Sequence, residues 1–145
     1  MKKAVLLVFL FISCSKNDVK IVADSNFNDN EKVFLVQYLE NRPILKDSTL
    51  IKNGNFSFTD TITYPEMHYL FIKNIMGNIP IILEPGEIKL KIFKDSLSSS
   101  KVSGTKSNDD FKKYKNETLK FTNELSKIDQ EINIAISRSD SLLSL

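Results

Sequence analysis

Thr49-Leu50-Ile51-Lys52-Asn53-Gly54-Asn55-Phe56-Ser57-Phe58 is the stretch on which the fold turns. Asn53-Gly54 separates two runs of strand-forming residues. A two-residue type I′ loop needs φ > 0 at both central positions, and Asn-Gly meets that need at low steric cost. The spacing predicts that Ile51 faces Phe56 and Thr49 faces Phe58 across a ladder, which turns one apolar face toward a core.

The residues on either side extend this β pattern. Upstream, Val19 to Ala23 reads as a first strand, and Phe27-Asn28-Asp29-Asn30 breaks it with turn residues. Lys32 to Leu39 is β-branched and aromatic on both faces, as in a central or doubly covered strand. Asn41-Arg42-Pro43 is expected to end it. Downstream, Met67 to Ile72 puts Met67, Tyr69 and Phe71 on one face and His68, Leu70 and Ile72 on the other. Ile79 to Leu83 follows, with Pro80 near its start, where a missing N–H is tolerated. Glu84-Pro85-Gly86-Glu87 has the type II turn pattern. Ile88, Leu90 and Ile92 then alternate with Lys89, Lys91 and Phe93, and a last short strand includes Lys101 to Ser103. Seven or eight short strands with regular turn signals predict an antiparallel β-sandwich-like domain or open barrel over residues 19–104.

Residues 105–145 contain no proline or glycine. Ser107 or Asn108 is expected to cap a helix, with Asp109 and Asp110 at its positive dipole end. Phe111, Tyr114, Thr118, Phe121, Leu125, Ile128, Ile132, Ala135, Ser139 and Leu142 recur at alternating steps of three and four. That is the a/d spacing of a packed helical seam. It fits a coiled-coil stalk, a bent helix along the sandwich, or a hairpin broken near Ser137-Arg138-Ser139. The apolar end Leu142-Leu143-Ser144-Leu145 suits a tail docked on the sandwich or a lead into another domain.

The chain opens Met1-Lys2-Lys3, then runs apolar from Ala4 to Ile12. A basic start, a short apolar run and a small residue form a secretory signal over residues 1–13. The run is far below the roughly 20 residues a spanning helix needs. Phe11-Ile12-Ser13-Cys14 resembles a bacterial lipobox, in which cleavage precedes the Cys and the thiol is lipidated. Residues 14–18 are then the lipidated Cys14 and a short tether. More than one acyl chain gives stable membrane attachment.

The net charge of +2 comes from Lys2 and Lys3; residues 14–145 are balanced. Balanced charge gives no electrostatic reason to expect a nucleic-acid partner. One Cys excludes an internal disulfide, a CxxC pair and a Cys-rich zinc site.

Three further pieces carry a family resemblance: the hairpin Ile51 to Phe58, the turn Leu83-Glu84-Pro85-Gly86, and Val102-Ser103-Gly104-Thr105 followed by Asn108 and a helix. Together with the lipobox, their order resembles the N-terminal β-domain, of unknown function, of Gram-negative lipoproteins that end in a thioredoxin-like thiol-disulfide oxidoreductase domain. The resemblance spans residues 14–140. It implies an exported, membrane-attached β-module. The redox activity does not carry over, because that chemistry needs two thiols.

Other candidate sites have simpler explanations. His68 is the lone His, and a lone His on a strand reads as a partly buried or rim residue. Asp109 and Asp110 point about 100° apart on a helix and suit helix-start electrostatics better than shared catalysis. Gly104-Thr105 lacks the glycines and Lys of a phosphate loop. Ser96-Leu97-Ser98-Ser99-Ser100 reads as a loop. Asp47-Ser48-Thr49, Asp60-Thr61-Ile62, Asp95-Ser96-Leu97 and Asp140-Ser141-Leu142 match a short O-glycosylation pattern of some exported proteins.

The expectation is a lipid-anchored module of the cell envelope, held at the outer membrane, without catalytic residues or cofactors. Its partners would be the membrane, through lipid on Cys14, and a protein or second copy through the helical seam. Two other readings stay open: the front part of a truncated oxidoreductase lipoprotein, and a small-ligand carrier with a cavity between its sheets.

Overall fold

The structure is a computed structural model that describes residues 17–143, with side chains described through residue 138. Cys14 and the leader therefore lie outside the described residues, as do the side chains of the apolar tail.

Among the described residues, eight strands form two four-stranded sheets. One has the order β4-β1-β7-β8, from Asn55–Thr61 (β4), Asp18–Ser25 (β1), Gly86–Ile92 (β7) and Lys101–Ser103 (β8). The other has the order β3-β2-β5-β6, from Arg42–Leu50 (β3), Lys32–Leu39 (β2), Glu66–Ile72 (β5) and Ile79–Leu83 (β6). Alternation puts Ile21, Phe58, Ile88 and Leu90 on one inner face. Val33, Leu35, Leu70 and Ile81 lie on the other. These residues form one buried core. Burying a side chain of this size is worth about 1.5–3 kcal/mol, the main force holding the sheets face to face. The β-sandwich with a long C-terminal helix is thus the observed architecture.

The strand pairing corrects the hairpin expectation. The turn itself is present: Asn53 has φ 51° and Gly54 φ 73°. Lys52 and Asn55 exchange both backbone hydrogen bonds at 2.9 Å. Beyond that one bridge the two runs part. Thr49 lies opposite Val33 of β2, and Phe58 lies opposite Ile21 of β1. Ile51 is held instead by Glu31 O and Asn30 N–H, each at 2.9 Å. The turn is a corner between sheets, because both flanking runs are apolar and each buries its face from a different side of the core.

The ladder hairpin lies one turn earlier. Glu40 and Asn41 have φ 49° and 65°, and β2 returns directly into β3 with Leu39 opposite Arg42. The strand ends at Leu39, before Asn41-Arg42-Pro43, as expected; the addition is that the chain turns there directly into a further strand. Pro43 is accommodated because β3 is a sheet edge, where no ladder needs its missing N–H. The register slips between Leu35 and Val36, a bulge that twists this exposed edge.

One pair, β1 with β7, is parallel. The chain crosses from β6 in the other sheet and enters β7 at the end where β1 begins, with Gly86 opposite Val19. The ends of β6 and β8 lie at this same end of the sandwich, since Lys89 pairs with Ser103.

The helix α1 runs unbroken over Lys106–Leu143, which excludes a break at Ser137-Arg138-Ser139. It begins before Ser107 and Asn108, so neither is its cap residue. Asp109 N–H already donates to Thr105 O at 3.0 Å.

Candidate functional site

The start of α1 is fastened to the sandwich by two polar side chains. Asn108 is 1% exposed. Its Oδ1 accepts from Ile82 N–H at 2.9 Å, and its Nδ2 donates to Ile82 O at 2.7 Å and to Thr105 Oγ1 at 2.8 Å. Since β6 is a sheet edge, Asn108 satisfies the outward backbone groups that a further strand would otherwise pair. Glu84, from the turn after β6, accepts from Ser107 N–H at 2.6 Å and from Ser107 Oγ at 2.8 Å. A carboxylate at a helix N-terminus meets both orphan donors and the positive dipole end. Desolvation raises the Glu84 pKa, but hydrogen bonds from Ser107 and Thr105 and the charge of Lys106 outweigh it and hold the carboxyl below its ordinary value. Sequence reasoning missed Glu84, because it caps a helix 23 residues away.

Helix polarity follows from these contacts. Asn108 sits at Ile82, near the end of β6. Phe111, Lys115 and Leu119 then line a cleft of about 620 Å³ with Asn78, Pro80 and Leu97, at the opposite end of β6. The helix therefore travels along the β6/β8 edge, away from the end where β1 begins. Every residue from 112 to 138 is exposed. At 1.5 Å per residue the helix is about 57 Å long, and about 36 Å of it lies beyond Leu119. No described residue covers the expected seam positions: Phe121 is 67% exposed, Leu125 62%, and Ile128 and Ile132 50% each.

The other sequence candidates lie apart. Asp109 and Asp110 are in the first turns of α1; Asp110 pairs with Lys113 at 3.2 Å and Lys106 at 3.4 Å. The hydrogen bonds from Lys113 and Lys106 lower its pKa. Gly104-Thr105 makes the β8-to-helix turn. Ser96 to Ser100 surround a 3₁₀ turn, Leu97–Ser99, whose Leu97 plugs the core. Of the glycosylation-like tripeptides, Ser48 lies on β3, Thr61 ends β4 and Ser96 is half-buried; Ser141 has no described side chain. Among the described residues no group of three His, Cys, Asp or Glu is placed to hold a metal. No described helix is long and apolar enough to cross a membrane.

His68 is a correction: it is 1% exposed, a core residue rather than a rim one. Its Nδ1 lies 3.3 Å from Glu66 O, and Nε2 has no hydrogen-bond partner. Burial lowers the His68 pKa, assisted by Lys46 and opposed by the Glu66 carbonyl and the charges of Glu66 and Asp60. A lowered folded pKa means the unfolded chain binds the extra proton first. Stability is then full above the unfolded pKa of about 6.5 and falls as pH drops below it toward the folded value. His68→Leu conserves volume and should cost under about 1.5 kcal/mol at pH 8. Urea titrations from pH 8 to 5 should show that it removes most of the loss in this window; an unchanged slope would assign the loss to other groups.

A family model described as a domain of unknown function, DUF4369, matches residues 18–111. The chain belongs to the DUF4369 family. Its DUF4369 region begins with the first residue of β1 and ends at Phe111, so it takes in the whole sandwich and the Asn108 clamp. The heptad seam from Tyr114 onward lies outside the match. No curated protein and no solved structure matches the chain.

Proposed function

We propose that this DUF4369 chain is a lipid-anchored module of the cell envelope that positions its helix, and whatever the helix binds, away from the membrane. The observation that carries the reading is the polarity of the fold. Asp18, four residues after Cys14, begins β1 at one end of the sandwich, and α1 travels toward the other end. Four residues span at most about 14 Å. Lipid on Cys14 would hold the first end at the membrane and point the far helix outward. The role is binding or positioning without catalysis, at the outer membrane.

Cys14→Ala in the native host, with radiolabelled palmitate and membrane fractionation, tests this. Loss of both label and membrane association is expected. An unlabelled wild-type chain, or a variant that stays in the membrane fraction, overturns the anchor. The resemblance to oxidoreductase lipoproteins favours a second reading, in which this module precedes a thioredoxin-like domain. Sequencing beyond codon 145 for a reading frame with CxxC separates the two.

A further inference from the structure

The seam of α1 repeats in its flanking charges as well as its apolar residues. Residues 111–138 read as four heptads: FKKYKNE, TLKFTNE, LSKIDQE and INIAISR. With Phe111 at position a, the a/d layers contain Phe121, Leu125, Ile128 and Ile132 in succession. The g positions are Asp110, Glu117, Glu124, Glu131 and Arg138, and the c positions are Lys113, Lys120, Lys127 and Ile134. A helix that packs on a globular core shows a broad apolar stripe; an a/d seam flanked by in-phase charges, kept here through Glu131 before Ile134 and Ile136 widen it, is the pattern of a two-helix coiled coil.

We infer that a second copy of this chain covers the seam, as a parallel two-stranded coiled coil. Charge decides the orientation. In an antiparallel pair the g positions face each other, and this chain sets mostly acid against acid there. In a parallel pair g faces e of the next heptad: Asp110 meets Lys115, Glu117 meets Thr122, and Glu131 meets Ile136, leaving Glu124 against Asp129 as the one like-charged contact. Space also permits it. The side of the helix over the cleft holds Asn108, Phe111, Lys112, Lys115, Asn116 and Leu119, so the first a position belongs to the contact with the sandwich. The centre of the stripe Tyr114, Thr118 and Phe121 lies roughly 120° around the helix from the centre of that side, so the sandwich leaves the seam open to a partner from Tyr114 onward. A two-fold axis along the helices puts the two sandwiches on opposite sides and both β1 starts at one end. The inference does not rest on the lipid reading, and its test omits the lipid.

The test uses the full chain carrying Cys14→Ser, in non-ionic detergent, by sedimentation equilibrium at micromolar concentration. Twice the 16.6 kDa chain mass is expected. Leu125→Asp with Ile128→Asp, far from the sandwich, should leave the β signal intact and weaken association at least 100-fold. Glu124→Lys, which removes the like-charged contact, should tighten it roughly two- to fivefold. In the same Cys14→Ser chain, Tyr114→Cys and Ile132→Cys, introduced singly and oxidised with copper-phenanthroline, should each give disulfide-linked dimers, since a parallel pair places like layers side by side. A monomer, a seam-dependent oligomer larger than two, or association that survives the aspartates overturns the proposal. Seam-dependent dimers in which neither single cysteine cross-links overturn the parallel arrangement.

Discussion

Gly104→Ala is expected to cost about 3 kcal/mol or more and to lower the melting temperature by about 10 °C. Gly104 turns the chain from β8 into α1 at φ 101°, a conformation that L side chains rarely adopt. A Cβ there would also lie 2.5 Å from Glu87 O and 3.5 Å from Lys89 N. Those are backbone atoms of the neighbouring strand β7, which cannot rotate away. Gly77 provides the comparison: its φ is 100°, but its nearest neighbour for an added Cβ is Leu97 Cδ1 at 3.9 Å. Gly77→Ala meets the backbone strain alone, about 1–2 kcal/mol. Urea midpoints at constant slope read both changes. Equal losses at the two positions would show that the approach to Glu87 is relaxed in solution.

The second large effect is at Asn108. Asn108→Ala should cost about 2–4 kcal/mol, because it removes three hydrogen bonds and leaves Ile82 N–H and C=O unpaired beneath the helix. Ser107→Ala loses one bond to Glu84 while the Ser107 N–H contact stays, and about 1 kcal/mol is expected. Hydrogen exchange distinguishes local from global damage. Faster exchange at Ile82, with the β1 and β5 amides still protected, means the helix start has lifted from the β6 edge. If Asn108→Ala changes neither the urea midpoint nor Ile82 exchange, Asn108 does not fasten the helix.

Much of the local structure was legible from spacing. Ile79 to Leu83 and the alternation of Ile88, Leu90 and Ile92 appear where the pattern puts them, because a strand with one buried face must alternate. The φ > 0 turn at Asn53-Gly54 is also local, since the steric preference belongs to those two residues. The β3 strand was not legible. It is an exposed edge with little apolar alternation, and Pro43 at its start resembles a stop. His68 was misplaced because alternation shows that His68, Leu70 and Ile72 share a face, but not how deeply that face is covered.

By itself the sequence determined the strand periodicity, the turn positions, the helical heptads and the balanced charge of residues 14–145, since each depends on residues close in the chain. Tertiary structure decided which sheet each strand joins, because that depends on partners such as Val33 for Thr49 and Ile21 for Phe58. It also decided that Glu84 and Asn108 lock the helix start, through contacts that span 23 and 26 residues. Above all it decided that the sandwich leaves the seam open: an a/d stripe reads the same whether or not its own domain covers it, and only the path of α1 past the β6 edge keeps the described residues off it.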